Sequence, residues 1–338
     1  MKVWLAGATG FLGRHVAASL ASRGAEATLT SLGGGELELE GPGGKATHSV
    51  ARVDVLDRAA VAQSAAGATH AILCTGRVSR DPADAEALQR LHVDGTREAL
   101  AGLRQAGVRR VVLTSTSGTL AVSREPARID DERSGDPLEF IASWPYYRTK
   151  YYAEKLALEQ SSADFEVVVI NPSLLLGPGD LRESSTADVR RFLEGAFAVT
   201  PRGGLALVDV RDAAEGAVLA LEQGRAGERY ILSAANLTFA AFFARLGRIS
   251  RVAPPRLLAP QNRELTLGLF SLYDGALRRL GGRPPIERLE VELSSYFWYA
   301  SAAKAERELG FVARDPGETL RDTISDLVAR QVIAPLAG

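Results

Sequence analysis

A tyrosine and a lysine stand four residues apart in Pro145-Tyr-Tyr-Arg-Thr-Lys-Tyr-Tyr-Ala-Glu-Lys155. On a helix, Tyr146 and Lys150 share one face. An ammonium beside a phenol favours the phenolate and is expected to lower the tyrosine pKa. A poor acid then becomes a usable proton donor or acceptor near neutral pH. Tyr151 and Lys155 repeat the spacing. Helical geometry turns Tyr151 about 140° away from Tyr146, so only one of the pairs can face a given cleft. A second polar group closes an apolar run, Arg110-Val-Val-Leu-Thr-Ser-Thr-Ser-Gly-Thr119. Residues at the C-terminal ends of parallel strands line the ligand crevice. A hydroxyl there can hydrogen-bond a carbonyl and stabilise the alkoxide that develops from it. Other hydroxyls of the run serve to cap local turns.

Such groups need a scaffold, and the first fourteen residues supply its signature. The apolar run Val3–Ala6 reads as a buried strand, followed by glycines at Gly7, Gly10 and Gly13 and then a helical segment. Gly7 allows the tight turn, Gly10 lets backbone approach a pyrophosphate, and Gly13 lets the helix sit close to the strand. The helix N-terminus then offers unpaired N–H groups to the phosphates. Thr9, Phe11 and Leu12, between the glycines, join the candidate cofactor contacts. In this setting Lys150 can hydrogen-bond a ribose and so place a nicotinamide.

The remaining chain sets bounds. Its 338 residues suffice for more than one lobe, and a formal net charge of -1 excludes a strong field for nucleic acid or a membrane surface. One cysteine, Cys74, precludes an internal disulfide and fits a reducing compartment. The chain starts directly with a strand, without a visible signal peptide, and has no apolar run near ~18 residues. A cytoplasmic location and no membrane partner are expected. The four histidines, His15, His48, His70 and His92, are scattered, so no metal is expected.

The first half alternates strand and helix patterns, which predicts a parallel sheet with helices on both faces. The strands are expected at Val3–Ala6, Ala27–Thr30, Ala51–Val53, Ala71–Cys74, Val111–Thr114 and Glu166–Ile170. The helices are expected at Arg14–Arg23, Arg58–Ala66, Ala83–Ala106 and Tyr146–Gln160. Gly33 to Thr47 reads as a surface loop or loose hairpin. We expect a dinucleotide-binding unit over residues 1–171 and a mainly substrate-binding lobe over 172–338, with a segment near 205–224 returning to the first. Leu257–Leu280 reads as a packing helix of the second lobe.

These motifs resemble an extended short-chain dehydrogenase/reductase, of the NAD-dependent epimerase/dehydratase type. Gly7-Ala-Thr-Gly-Phe-Leu-Gly13 resembles the family fingerprint, and Tyr146-Tyr-Arg-Thr-Lys150 with Ala153-Glu-Lys155 resembles its active-site helix. That register implies Tyr146 rather than Tyr151. Thr114-Ser-Thr-Ser-Gly-Thr119 is similar to the strand end of dihydroflavonol-reductase-like members, which implies Thr116 as the catalytic hydroxyl and Ser115 as the alternative. Asp54-Val55 resembles the pair that contacts adenine, and Thr75-Gly76 the pair after the fourth strand. Asn171-Pro172-Ser173 through Gly177-Pro-Gly-Asp180 resembles the segment beside the nicotinamide. The resemblance implies a doubly wound Rossmann-type α/β fold with a smaller C-terminal lobe. It also implies a homodimer formed through the helices 83–106 and 146–160. His92 departs from the family pattern, which often has asparagine there.

Ser31, at the end of the second strand, is neither the acid expected for NAD nor the arginine expected for NADP. Without a carboxylate to repel a 2′-phosphate, and with Arg14 near in sequence, NADP is favoured over NAD. Hydride transfer between nicotinamide and a small carbonyl or alcohol substrate is the expected reaction. A nucleotide-sugar epimerase with tightly held NAD, and a non-catalytic dinucleotide sensor, are the competing functions. The segment Leu138–Trp144 would give the cleft an apolar wall, or be ordinary packing.

Overall fold

The computed structural model describes residues 1–282 and 286–334. Arg283 to Pro285 and the last four residues of the chain lie outside the described residues. An eight-stranded sheet organises the first half. Strands β1 (Lys2–Ala6), β2 (Glu26–Ser31), β3 (Gly35–Gly41), β4 (Gly44–Arg52), β5 (His70–Leu73), β6 (Arg110–Thr114) and β7 (Glu166–Pro172) are joined by Arg229–Leu232 at one edge. Their order is Arg229–Leu232, β7, β6, β5, β1, β2, β4, β3. Every pairing is parallel except that of β3 with β4. The order reverses between β1 and β5, and that switch point opens a crevice at the strands' C-terminal ends.

β1 shows why the sheet is doubly wound. Val3 and Leu5 point into one apolar core, shared with the helix α1 (Phe11–Ser22) and the helix Val210–Gln223. Trp4 and Ala6 point into the other, covered by the helices Arg58–Ser64 and Gly95–Gln105. Helices on both faces make the strand apolar throughout rather than alternating.

The structure corrects two expectations and decides a third. Of the surface loop or loose hairpin expected over residues 33–47 it shows the hairpin, regular and extending the sheet by two strands. Its first strand reads Glu36-Leu-Glu-Leu-Glu40, and the two leucines pack beside α1 while the glutamates face solvent. The expected helix 83–106 is segmented: a 3-10 turn, then Ala85–Gln89, a π-helical turn at Arg90–Asp94, and Gly95–Gln105. The π turn holds His92, which is buried. Within 257–280, Leu257–Leu258 is a short strand and only Arg263–Arg279 is helical, burying Leu267 and Phe270.

A second, smaller sheet carries Ala235–Thr238, Gly204–Asp209 and Phe297–Trp298, with Leu174–Leu176 paired to Gly204–Asp209. Its core packs Phe192, Phe242 and Phe243 among leucine, isoleucine and valine side chains. Two chain segments beyond residue 204 return to the large sheet: the helix Val210–Gln223, which packs on α1, and the edge strand Arg229–Leu232. Among the described residues no helix is long and apolar enough to cross a membrane.

Candidate active site

Three glycines shape the turn after β1. Gly7 has φ +79°, and a Cβ there would lie 2.7 Å from the Cys74 carbonyl oxygen. A Cβ on Gly13 would lie 2.0 Å from the Gly7 oxygen, so α1 touches the strand end directly. Gly10 donates to the Gly7 oxygen at 2.9 Å and caps α1 with no side chain over its first turn. The first N–H groups of a helix have no partner within it. Leu12 is buried, whereas Thr9 and Phe11 are half-buried beside the turn. Backbone donors in a cradle that any side chain would fill fit a dinucleotide pyrophosphate.

The other expected cofactor contacts surround this turn. Asp54 and Val55 follow β4: Val55 is buried in the core, and the Asp54 carboxylate accepts from the Leu56 N–H at 3.0 Å. Thr75 and Gly76 follow β5, and a Cβ on Gly76 would lie 3.3 Å from Lys150 Nζ. Pro172 ends β7 beside Leu232, and Ser173 donates to the Leu232 oxygen through both its N–H and its hydroxyl. Ser31 is buried and its hydroxyl donates to the Gly34 oxygen at 3.3 Å, so it closes a turn. Arg14 does not point toward the end of β2; it donates to the Gly179 oxygen at 3.4 Å, while His15 meets the Pro178 oxygen at 2.9 Å. These two side chains dock the 177–180 loop on α1.

Tyr146, Lys150 and Thr116 come together where β6 ends. The Thr116 side chain lies beside the Tyr146 phenol and works against the effect of burial on it. Ser115, the alternative hydroxyl, is buried with no partner. Lys150 donates to the Thr114 oxygen at 2.9 Å. Tyr151 faces elsewhere: its hydroxyl bonds Asp136, and Lys155 lies over its ring, 4.8 Å from the centroid. The second Tyr-x-x-x-Lys pair therefore ties the outer face of the helix to a loop.

Electrostatics corrects one expectation. Burial of the Tyr146 phenol, with Tyr147 adding to it, pushes its pKa above the ordinary tyrosine value, and Lys150 is too occupied with Thr114 to reverse that. Burial pushes Lys150 itself down to about 8. His92 is pushed down to about 2 by burial and by the Lys150 charge, and is neutral. Its Nε2 accepts the Arg77 N–H at 3.2 Å, so the proton sits on Nδ1 and is donated to Thr149 Oγ1 at 2.8 Å. Thr149 passes the chain on to the Tyr146 carbonyl at 3.0 Å.

Two further groups were not legible as a site. Glu154, buried behind the pair, accepts from Thr119 Oγ1 and Asn171 Nδ2, both at 2.8 Å, and pairs with Arg229 at 3.3 Å. Asn171 also donates to the Thr116 oxygen at 3.1 Å, which fixes the backbone that carries the hydroxyl. Tyr147, partly buried, stacks on Trp298 with centroids 4.7 Å apart, against the buried Trp144 and Tyr296. Tyr147 meets Tyr146 edge-on at 5.0 Å, so this aromatic cluster adjoins the phenol. Above it, Arg80 pairs with Asp188 at 2.8 Å and Glu290 at 3.0 Å, joining the loop after β5 to the second lobe. Among the described residues no group of three or more His, Cys, Asp or Glu side chains could hold a metal ion.

Known proteins give the arrangement a context. The NAD dependent epimerase/dehydratase family is described by a model that matches residues 3–233. The "Putative dihydroflavonol 4-reductase" of Synechocystis is 32% identical over 250 residues, 72% of this chain and 71% of its own. "Sterol demethylase protein B" of Methylococcus capsulatus is 26% identical over 328 residues, 96% of this chain and 98% of its own. A nucleoside-diphosphate-sugar epimerase from Pseudomonas aeruginosa superposes with a TM-score of 0.73 at 24% identity, covering 98% of each chain. That last likeness speaks for the fold.

Proposed function

We propose, for a chain that belongs to the NAD dependent epimerase/dehydratase family, that its reaction is the reduction of a ketone or aldehyde to an alcohol, or the reverse. It is an NAD(P)-dependent enzyme of the extended short-chain dehydrogenase/reductase type. The observation that carries the proposal is the convergence at the end of β6 of the Tyr146 phenol, the Thr116 side chain and Lys150, which is anchored to the Thr114 oxygen at 2.9 Å.

The nicotinamide, when bound, supplies or receives the hydride. The chain's own groups do the rest. A carbonyl oxygen placed between the Thr116 and Tyr146 hydroxyls receives two hydrogen bonds that strengthen as charge develops on it. Tyr146, held above its ordinary pKa, keeps its proton at neutral pH and gives it to the alkoxide. Lys150, anchored to the Thr114 oxygen, offsets only part of the cost of the tyrosinate left behind, and its remaining N–H groups would hold the ribose of a bound dinucleotide. Glu154 and Asn171 hold the Thr116 backbone, and neutral His92 holds the turn that precedes Lys150.

The substrate we infer is apolar and aromatic, seated on the Tyr147–Trp298 pair. NADP is the cofactor we favour, because the turn at Ser31 offers no carboxylate to a ribose 2′-OH. A dehydratase is disfavoured: a Cβ at residue 118 would lie 2.3 Å from the Tyr147 ring, which leaves no room for an acid–base side chain there. We also propose a homodimer through the outer faces of the helices Gly95–Gln105 and Pro145–Glu159; a single-chain mass in solution would remove it.

The experiment is Tyr146→Phe. Turnover of an aryl ketone is expected to fall by about a thousandfold, with dinucleotide affinity held. A Tyr146→Phe variant with wild-type turnover would overturn the proposal.

A further inference from the structure

The end of β2 contains no charge that could read the adenosine ribose, yet a cation stands beside it on the next strand. In the parallel pairing of β2 with β4, Ser31 lies opposite Arg52. Both residues end their strands at the crevice side of the sheet. Ser31 is committed to its turn: its hydroxyl donates to the Gly34 oxygen, and its own oxygen accepts the Gly34 and Val53 N–H groups. Arg52 is exposed, and its side chain has no hydrogen-bond or ion-pair partner among the described residues. The arginines on neighbouring crevice segments are occupied. Arg14 is bonded to Gly179, Arg58 to Glu98 and Arg77 to Asp84.

The space next to Arg52 is kept clear. Gly34 packs against it, since a Cβ there would lie 3.4 Å from Arg52 Cβ, and Gly34 has φ +65°. Gly33 and Gly35 on either side would present an added Cβ to nothing within 4 Å. Three consecutive glycines thus leave open surface beside an uncommitted guanidinium. In this class of sheet the ribose of the adenosine half lies near the end of the second strand, where an acid reads a 2′-OH and an arginine accommodates a 2′-phosphate. A planar guanidinium suits bidentate binding of phosphate oxygens.

We propose that Arg52, supplied by β4 instead of β2, is the residue that selects the 2′-phosphorylated dinucleotide. This rests on the dinucleotide-dependent reading above. Asp54, the nearest acid in sequence, is turned to the Leu56 N–H and leaves the guanidinium unpaired.

The test is equilibrium titration of the full chain with NADPH and NADH, for the wild type, Arg52→Ala and Arg52→Lys. The wild type is expected to prefer NADPH. Arg52→Ala should lose about tenfold or more in NADPH affinity while NADH affinity holds, and Arg52→Lys should recover part of the loss. The NADPH advantage should shrink with added salt, as expected for an exposed charge pair. An Arg52→Ala variant that keeps the wild-type preference overturns the proposal, as does an equal loss for both dinucleotides or a wild type that prefers NADH. Arg52-dependent NADPH binding without turnover of any carbonyl would keep this assignment and sink the reductase reading instead.

Discussion

Replacing Lys150 by methionine is expected to stabilise the protein near neutral pH while removing its activity. The side chain is buried, and burial lowers its pKa from the ordinary 10.5 to about 8. A folded-state value below the unfolded one means that folding opposes the charged form. At 1.36 kcal/mol per pH unit, that opposition is worth about 3 kcal/mol at pH 7. The variant also deprives the Thr114 oxygen of its donor, which costs about 1–3 kcal/mol. The net gain at pH 7 is therefore roughly 1 kcal/mol, and the diagnostic quantity is its pH dependence. Below pH 8 both states of the wild type hold the proton, and the gap between the proteins is constant. Between pH 8 and 10.5 the unfolded chain holds the proton and the folded chain does not, so wild-type stability rises relative to the variant. Across that window the wild type should gain about 3 kcal/mol on Lys150→Met and become the more stable of the two. Urea unfolding followed by the fluorescence of Trp4, Trp144 and Trp298 at pH 7, 9 and 10.5 measures this directly. A difference between the two proteins that does not change with pH would refute the reasoning.

Other consequences follow from single contacts. Gly13→Ala puts a Cβ 2.0 Å from the Gly7 oxygen, and relief needs α1 to move by about 1 Å; dinucleotide affinity should fall by about a hundredfold in a titration, and unchanged affinity would refute the cradle. Glu154→Ala leaves the Arg229 charge without its counter-ion and takes one acceptor from the Asn171 amide; a loss of about 3 kcal/mol in unfolding free energy is expected. In the free enzyme the pH profile of kcat/KM should show no imidazole inflection between pH 5 and 7, because His92 stays neutral there. It should fall as pH rises through about 8, where Lys150 loses its charge.

The parts of the site legible in the sequence are those written within one turn or one helix. Gly7, Gly10 and Gly13 carry their spacing with them, and Tyr146 and Lys150 need only a helix to share a face. Thr116 and Ser115 are adjacent hydroxyls, and the sequence pattern alone does not separate them. The Glu154–Asn171–Thr119–Arg229 network was invisible because four segments supply it. Arg14 was misread from its nearness in sequence, although consecutive helical residues point about 100° apart. Arg52 lies beside Ser31 only through strand pairing, and twenty intervening residues conceal it. The hairpin was legible only as one of two alternatives, since Glu36-Leu-Glu-Leu-Glu40 alternates with a strand's period while the surrounding glycines argue for a loop. The direction of the Tyr146 pKa could not be read from its distance to Lys150, because desolvation of the phenol outweighs a charge directed to Thr114.

The most direct test of the reductase reading is to identify any dinucleotide that purifies with the protein, and then to follow oxidation of added NADPH by aryl ketones and aldehydes. The prediction is a protein without retained cofactor that binds NADPH reversibly and oxidises it in proportion to the carbonyl supplied. Tightly retained NAD, with interconversion of a nucleotide sugar and no net oxidation, would contradict it.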